Sequence, residues 1–310
     1  MSSETLRVVD GDELRRLLPM PAAIDALRRA YATQDPSAGA PLRSRMLTRA
    51  GELYLMPAAG DDGVGVKLVT LTPANASRGR PLIHATYVLF DPVTQAPTAV
   101  VDGAALTALR TAAVSGLATA FLARDDARRL VVFGAGVQAR SHLEAIRTVR
   151  PVDAAIVVSR TRARAEALVA EARASGLEAR LGSPDDVASA DLVCTCTTSD
   201  TPLFDGASLP AGAHVNAVGA YRPEARELDS ATVSRARVVV ETREAAFEEA
   251  GDLLIPIGEG VIDRGHVVAD LAELVTGATV RRSPDDVTVF ESVGIAFEDL
   301  AVAAAAVGRS

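Results

Sequence analysis

The sequence predicts an α/β protein made of two regions with different rhythms. Three observations carry this. From residue 130 onward, short apolar runs alternate with helical stretches, the pattern of a parallel sheet wound with crossover helices. Before residue 103, strand-like runs follow one another with only turns between them, which reads as an antiparallel meander. The first alternating strand runs into Gly134-Ala135-Gly136-Val137-Gln138-Ala139. This G-x-G-x-x-A turn lies between strand and helix, the setting of a dinucleotide-binding fingerprint. The fold class is therefore α/β: a Rossmann domain plus an antiparallel α+β domain.

The elements follow in order. Asp10-Gly11-Asp12-Glu13 and Pro21-Ala22 open two helical patterns that end near Thr33. Residues 37–41 form a loop. Strands are expected at 43–48, 53–56, 65–72, 83–90 and 98–102, with turns at 57–63 and at Asp91-Pro92. A helix over 104–123 leads to Asp125-Asp126 and the alternating region. Its strands are 130–133, 154–158, 178–181, 192–195, 214–218 and 238–241, and the alternation runs to about 275. After Pro284, residues 287–290 and the alanine-rich helix 295–307 leave that pattern, and the helix is placed back on the first region. The expected division is 1–113 with 289–310, against 114–288, with a shared cleft.

Composition excludes several classes. The 310 residues carry a net charge of −8, which argues against nucleic acid or an anionic membrane as partner. No apolar run approaches the length of about 18 residues that suggests a transmembrane helix. Met1-Ser2-Ser3-Glu4-Thr5-Leu6-Arg7 lacks a signal-peptide pattern. Cys194 and Cys196 lie two apart on an expected strand and read as small fillers of a reduced, cytoplasmic protein. His84, His142, His214 and His266 show no ligand spacing with them, so no metal site is expected.

Each residue of the fingerprint has a physical task. Gly134 permits the tight turn and Gly136 lets a pyrophosphate approach the backbone. Val137 and Gln138 begin a helix whose free N–H groups suit phosphate. A dinucleotide with a free ribose diol calls for an acidic residue at the end of the next strand. Ser159, Arg160, Thr161 and Arg162 stand there instead, which suits a 2′-phosphate, so NADP(H) is expected in preference to NAD(H). In the first region one residue stands apart. Lys67 is the only lysine in a chain with 32 Lys+Arg residues. It sits in an apolar strand, either as an anion-binding or proton-donating ammonium or as a chance survivor snorkelling at a strand end.

Three blocks resemble the ornithine cyclodeaminase/mu-crystallin family. They are Pro41-Leu42-Arg43 with Leu55-Met56-Pro57 and Lys67-Leu68-Val69; Val101-Asp102-Gly103 with residues 106–113; and the glycine turn with residues 216–220, 226–229 and 292–294. The resemblance implies a homodimer built through the antiparallel domain, which also binds substrate. It implies hydride chemistry on a small imino or amino acid. Arg43, Lys67 and Arg110 match the family's substrate-carboxylate cluster, with Arg45 as the alternative to Arg43. Two guanidiniums clamp a carboxylate, and the lysine adds a point charge or a proton. Thr111 matches a cofactor-contacting position, and Thr195, Val218 and Ser292 are placed with it. His84 is either a nicotinamide-facing proton donor or a core histidine.

Two departures bear on substrate. Tyr221 and Tyr54 stand where the ornithine-deaminating members carry carboxylates. A tyrosine supplies no full negative charge for a second amine at pH 7, but Tyr221 has a hydroxyl for an imine nitrogen. The expected activity is reduction of a C=N bond, or the reverse, in a small imino or amino acid. Cyclodeaminase, alanine dehydrogenase and a catalytically silent NADPH-regulated binding protein are the alternatives.

Overall fold

The structure is a computed structural model and describes residues 6–308. The chain forms two compact units, one running to Arg110 and resuming at Ile295, the other spanning Thr111–Gly294.

The first unit contains β1 (Arg7–Val9), α1 (Gly11–Leu17), α2 (Met20–Thr33), β2 (Ser44–Leu47), β3 (Glu52–Gly60), β4 (Gly63–Leu71), β5 (Ile83–Phe90) and β6 (Pro97–Asp102). Helix α3 (Gly103–Leu122) begins here and continues in the second unit. Strands β2 to β6 form the expected antiparallel meander, and β1 adds in parallel beside β6. That strand is only three residues long, too short to show a period in sequence. Asp10 starts α1 by accepting hydrogen bonds from the backbone of Asp12 and Glu13. Helix α3 is 20 residues long and apolar enough to cross a membrane by length and composition. Arg110 and several threonines interrupt its apolar run, so counting consecutive apolar residues missed it. Most of it is buried as a core helix.

The second unit contains β7 (Arg129–Phe133), α4 (Val137–Val149), β8 (Ala154–Val158), α5 (Arg162–Ala174), β9 (Glu178–Leu181), β10 (Leu192–Thr195), β11 (His214–Ala217), α6 (Ser230–Arg235), β12 (Arg237–Val240), α7 (Arg243–Glu249), α8 (Gly251–Gly258), β13 (Val267–Asp270), α9 (Leu271–Val275) and β14 (Thr288–Glu291). All eight strands are parallel, in the order β13-β12-β14-β11-β10-β7-β8-β9. The chain winds outward from β7 through β8 to β9, then returns to the other side of β7 with β10. The switch point between β7 and β10 is where an open α/β sheet takes its ligand, beyond the carboxyl ends of the strands.

One expectation is corrected here. Residues 287–290 do not leave the alternating pattern. Strand β14 inserts between β11 and β12, fully buried on both faces. Its apolar run looks like any other buried strand, and chain order does not reveal an insertion between strands already laid down. Helix α10 (Ala296–Val307) then packs on α2, β3, β4 and β5 of the first unit. Its run of alanines and valines permits close approach to the sheet.

Candidate active site

Strand β4 aims Lys67 at the sheet face that α10 covers. Its cross-strand partners are Met56 and Tyr87; Tyr87 in turn pairs with Val101, and Val101 with Val9. All five residues are buried, with Lys67 only 1% exposed. An ammonium in such a row needs a partner. Asp299, in the first turn of α10, supplies it. Lys67 Nζ donates to Asp299 Oδ1 at 2.9 Å and lies 2.7 Å from Oδ2. The same Oδ1 accepts from Arg110 Nε at 3.2 Å, while Arg110 Nη1 donates to Glu298 Oε2 at 3.0 Å. Glu298 Oε1 accepts from the Tyr31 hydroxyl at 2.9 Å.

Burial pushes the Lys67 ammonium down from 10.5 to about 8. Asp299 opposes that shift, while Arg110 and Arg43 add to it by like-charge repulsion. Arg43, half-buried just before β2, is therefore electrostatically part of the cluster. Arg45 pairs instead with half-buried Glu52, which also accepts from the Tyr54 hydroxyl. Burial, reinforced by Asp299, raises the Tyr87 hydroxyl well above 10. Gly65 makes room for that ring: a Cβ there would lie 1.9 Å from the Tyr87 oxygen.

His84 does not join this cluster. It is exposed and pairs with Thr70, on the opposite face of the sheet from Lys67. The core-histidine reading is therefore corrected. The buried histidines are His142 and His214, which burial pushes down to about 4 and about 3, so both are neutral.

In the second unit Thr111 lies on α3, and the other candidates follow the carboxyl ends of parallel strands. Gly134 leaves β7 with φ 106°, and a Cβ there would meet the Cys196 carbonyl at 2.4 Å. Gly136 caps α4 with no capping side chain, and beyond its chain neighbours nothing among the described residues lies within 4 Å of where its Cβ would be. This bare helix start and open backbone fit a pyrophosphate. Val137 follows, exposed, then half-buried Gln138. Thr111 is buried with its hydroxyl unpartnered among the described residues. Ser159 follows β8 and accepts from the Thr161 backbone at 3.3 Å; Arg160 is exposed and Arg162 bonds Glu166 at 2.8 Å. Thr195 ends β10, and its carbonyl accepts from the Val218 backbone at 3.2 Å. Tyr221 lies half-buried in the loop after β11. The Ser292 hydroxyl donates to Glu241 Oε1 at 2.6 Å, so its visible task is to hold the turn after β14.

Several residues here escaped sequence reasoning. Glu298 and Asp299 read as ordinary first-turn acids of a helix, although two adjacent carboxylates inside an alanine-rich segment are a signal. Glu227 accepts from the Thr197 backbone at 2.8 Å, the Thr197 hydroxyl at 2.5 Å and the Gly219 backbone at 2.7 Å. It ties the loop after β10 to the loop after β11. Glu241 likewise holds the backbone of Val293 and Gly294. Cys194 and Cys196 are free thiols, and burial pushes Cys194 up to about 12. Among the described residues, no group of three or more His, Cys, Asp or Glu is placed to hold a metal ion.

Residues 8–308 match the ornithine cyclodeaminase/mu-crystallin family. The chain belongs to that family. It is 35% identical over 313 aligned residues to a Delta(1)-pyrroline-2-carboxylate reductase of Bacillus cereus, covering 96% of this chain and 94% of that protein. It is 38% identical to the ketimine reductase mu-crystallin of Rattus norvegicus over 257 residues, covering 82% of this chain and 79% of that one. Among solved structures, the Thermococcus litoralis Delta(1)-pyrroline-2-carboxylate reductase in complex with NADH and L-proline superposes with a TM-score of 0.93. Sequence identity there is 36%, over 98% of this chain and 97% of that one.

Proposed function

We propose that this chain reduces the C=N bond of a small cyclic imino acid to the corresponding amino acid, using a reduced nicotinamide dinucleotide. The observation that carries this is the cluster of buried Lys67 and Arg110 with half-buried Arg43, whose ammonium is poised at about 8. Arg43 and Arg110 take the substrate carboxylate, which fixes the neighbouring imine carbon. Gly134 and Gly136 would hold the dinucleotide, and the chemistry it would supply is the hydride for the imine carbon. Lys67 gives its proton to the nitrogen and is left as a neutral amine, a form that its buried site tolerates. Hydride and proton together balance the conversion of C=N to CH–NH. The names of the reductases to which the chain is similar support the same chemistry.

The finer readings are ours as well. NADPH is preferred over NADH, because Ser159, Arg160, Thr161 and Arg162 offer no carboxylate to a ribose diol. The solved relative holds NADH, so the preference rests on this patch. The chain pairs with a second copy through the sheet face that carries His84, where Met46 and Leu68 are exposed.

The test is a substrate panel followed at 340 nm with each dinucleotide. Five- and six-membered cyclic 2-imino acids should oxidise NADPH continuously. A protein that binds NADPH but shows no turnover on any cyclic or linear imino acid would instead be a silent binding protein.

A further inference from the structure

We propose that Asp299 is a positioning residue of this reaction: one carboxylate, at the first turn of α10, grips Lys67 and Arg110 together and fixes ammonium and guanidinium as a single receptor. This rests on the reading of Lys67 as proton source given above.

The geometry is specific to this carboxylate. Asp299 contacts both Lys67 and Arg110, whereas Glu298 contacts Arg110 and Tyr31. Both acids are fully buried.

The surroundings of Lys67 leave this work to Asp299. Met56 on β3 is apolar, and Tyr87 on β5 offers a hydroxyl that stays neutral. Arg110 on α3 and Arg43 before β2 are like charges that favour loss of the lysine proton. Asp299 on α10 is the one group among them that favours keeping it. A buried lysine among arginines without this anion is a neutral amine at physiological pH, and it has no proton to give.

Lys67 being the only lysine makes this measurable. Protein grown with ε-¹³C lysine carries a single side-chain resonance, and its titration reads one group. In wild type the midpoint should lie near 8. Asp299→Asn keeps shape and loses charge, and should move the midpoint down by about one unit or more. The basic limb of kcat/KM on the cyclic imine should move with it. Glu298→Gln should leave the Lys67 midpoint near the wild-type value while raising KM through Arg110. An Asp299→Asn midpoint at the wild-type value, or an equal shift in Glu298→Gln, overturns the proposal.

Should Asp299→Asn not fold, Asp299→Glu keeps the charge and moves its oxygens. It should retain the midpoint and lose at least tenfold in kcat/KM, roughly what a misplacement of under 1 Å costs. Wild-type turnover in that variant overturns the positioning role. Lys67→Met separates the two claims: normal turnover there refutes the lysine as proton source, whatever the titrations show.

Discussion

Replacing Lys67 with arginine preserves charge and should nonetheless remove activity. The Lys67 side chain is 2% exposed and its partner Asp299 is fully buried. Met56 and Tyr87 flank it, and the Tyr87 ring is itself pressed onto Gly65. A guanidinium is larger and planar, so it must displace one of these groups. Overpacking of this kind costs about 1–3 kcal/mol, which lowers a melting midpoint by roughly 2–4 °C per kcal/mol at this size. The variant should therefore fold and melt several degrees early. Asp299 keeps a cationic partner, so the larger penalty of an orphaned buried charge, about 3–5 kcal/mol, is avoided. Activity should fall much further. A guanidinium does not release a proton at neutral pH, and loss of a general acid typically costs about 10²–10⁴ in rate. The assay is steady-state kcat/KM on Δ1-pyrroline-2-carboxylate, alongside NADPH affinity by fluorescence and a thermal melt. A variant within tenfold of wild type, with an unchanged melt, would refute both the proton role and the tight packing.

Three other outcomes are expected. Arg160→Asp places a carboxylate near the adenosine ribose and should narrow or reverse the preference for NADPH; fluorescence titration with both dinucleotides reads it, and an unchanged ratio removes Arg160 from the assignment. Gly134→Ala forces a side chain into φ 106° and against the Cys196 carbonyl; strain of about 1–3 kcal/mol should weaken NADPH binding at least tenfold, and wild-type affinity would place the cofactor elsewhere. L-Ornithine with catalytic NAD(P) should give no proline, since the Tyr54 hydroxyl is engaged by Glu52 and Tyr221 carries no charge; sustained release of ammonia and proline would show that another anion holds the second amine.

Much of this was legible in the chain because the signals were local. The meander, the glycine turn and the strand–helix alternation each announce themselves within a dozen residues. Lys67 was visible as an anomaly of composition, and its apolar strand already implied a desolvated ammonium. What escaped depends on contacts between distant segments. Asp299 lies 232 residues from Lys67, and Glu298 lies 267 from Tyr31. At a helix start both acids look solvated. The position of β14 was hidden for a related reason: chain order does not reveal that a late strand inserts between two earlier ones. His84 shows the limit of period-two reasoning. Its parity with Thr70 puts it across the sheet from Lys67, and parity is known only once the register is.

The central claim is imine reduction at the Arg43–Lys67–Arg110 cluster, and isotope transfer tests it most directly. The protein is incubated with Δ1-pyrroline-2-carboxylate and both C4-deuterated epimers of NADPH in turn, and the product is read by mass spectrometry. The account predicts L-proline one mass unit heavy at its α-carbon from one epimer, and no such product from Lys67→Met. Absence of labelled proline from the wild-type protein with either epimer, or equal labelling by Lys67→Met, would contradict it.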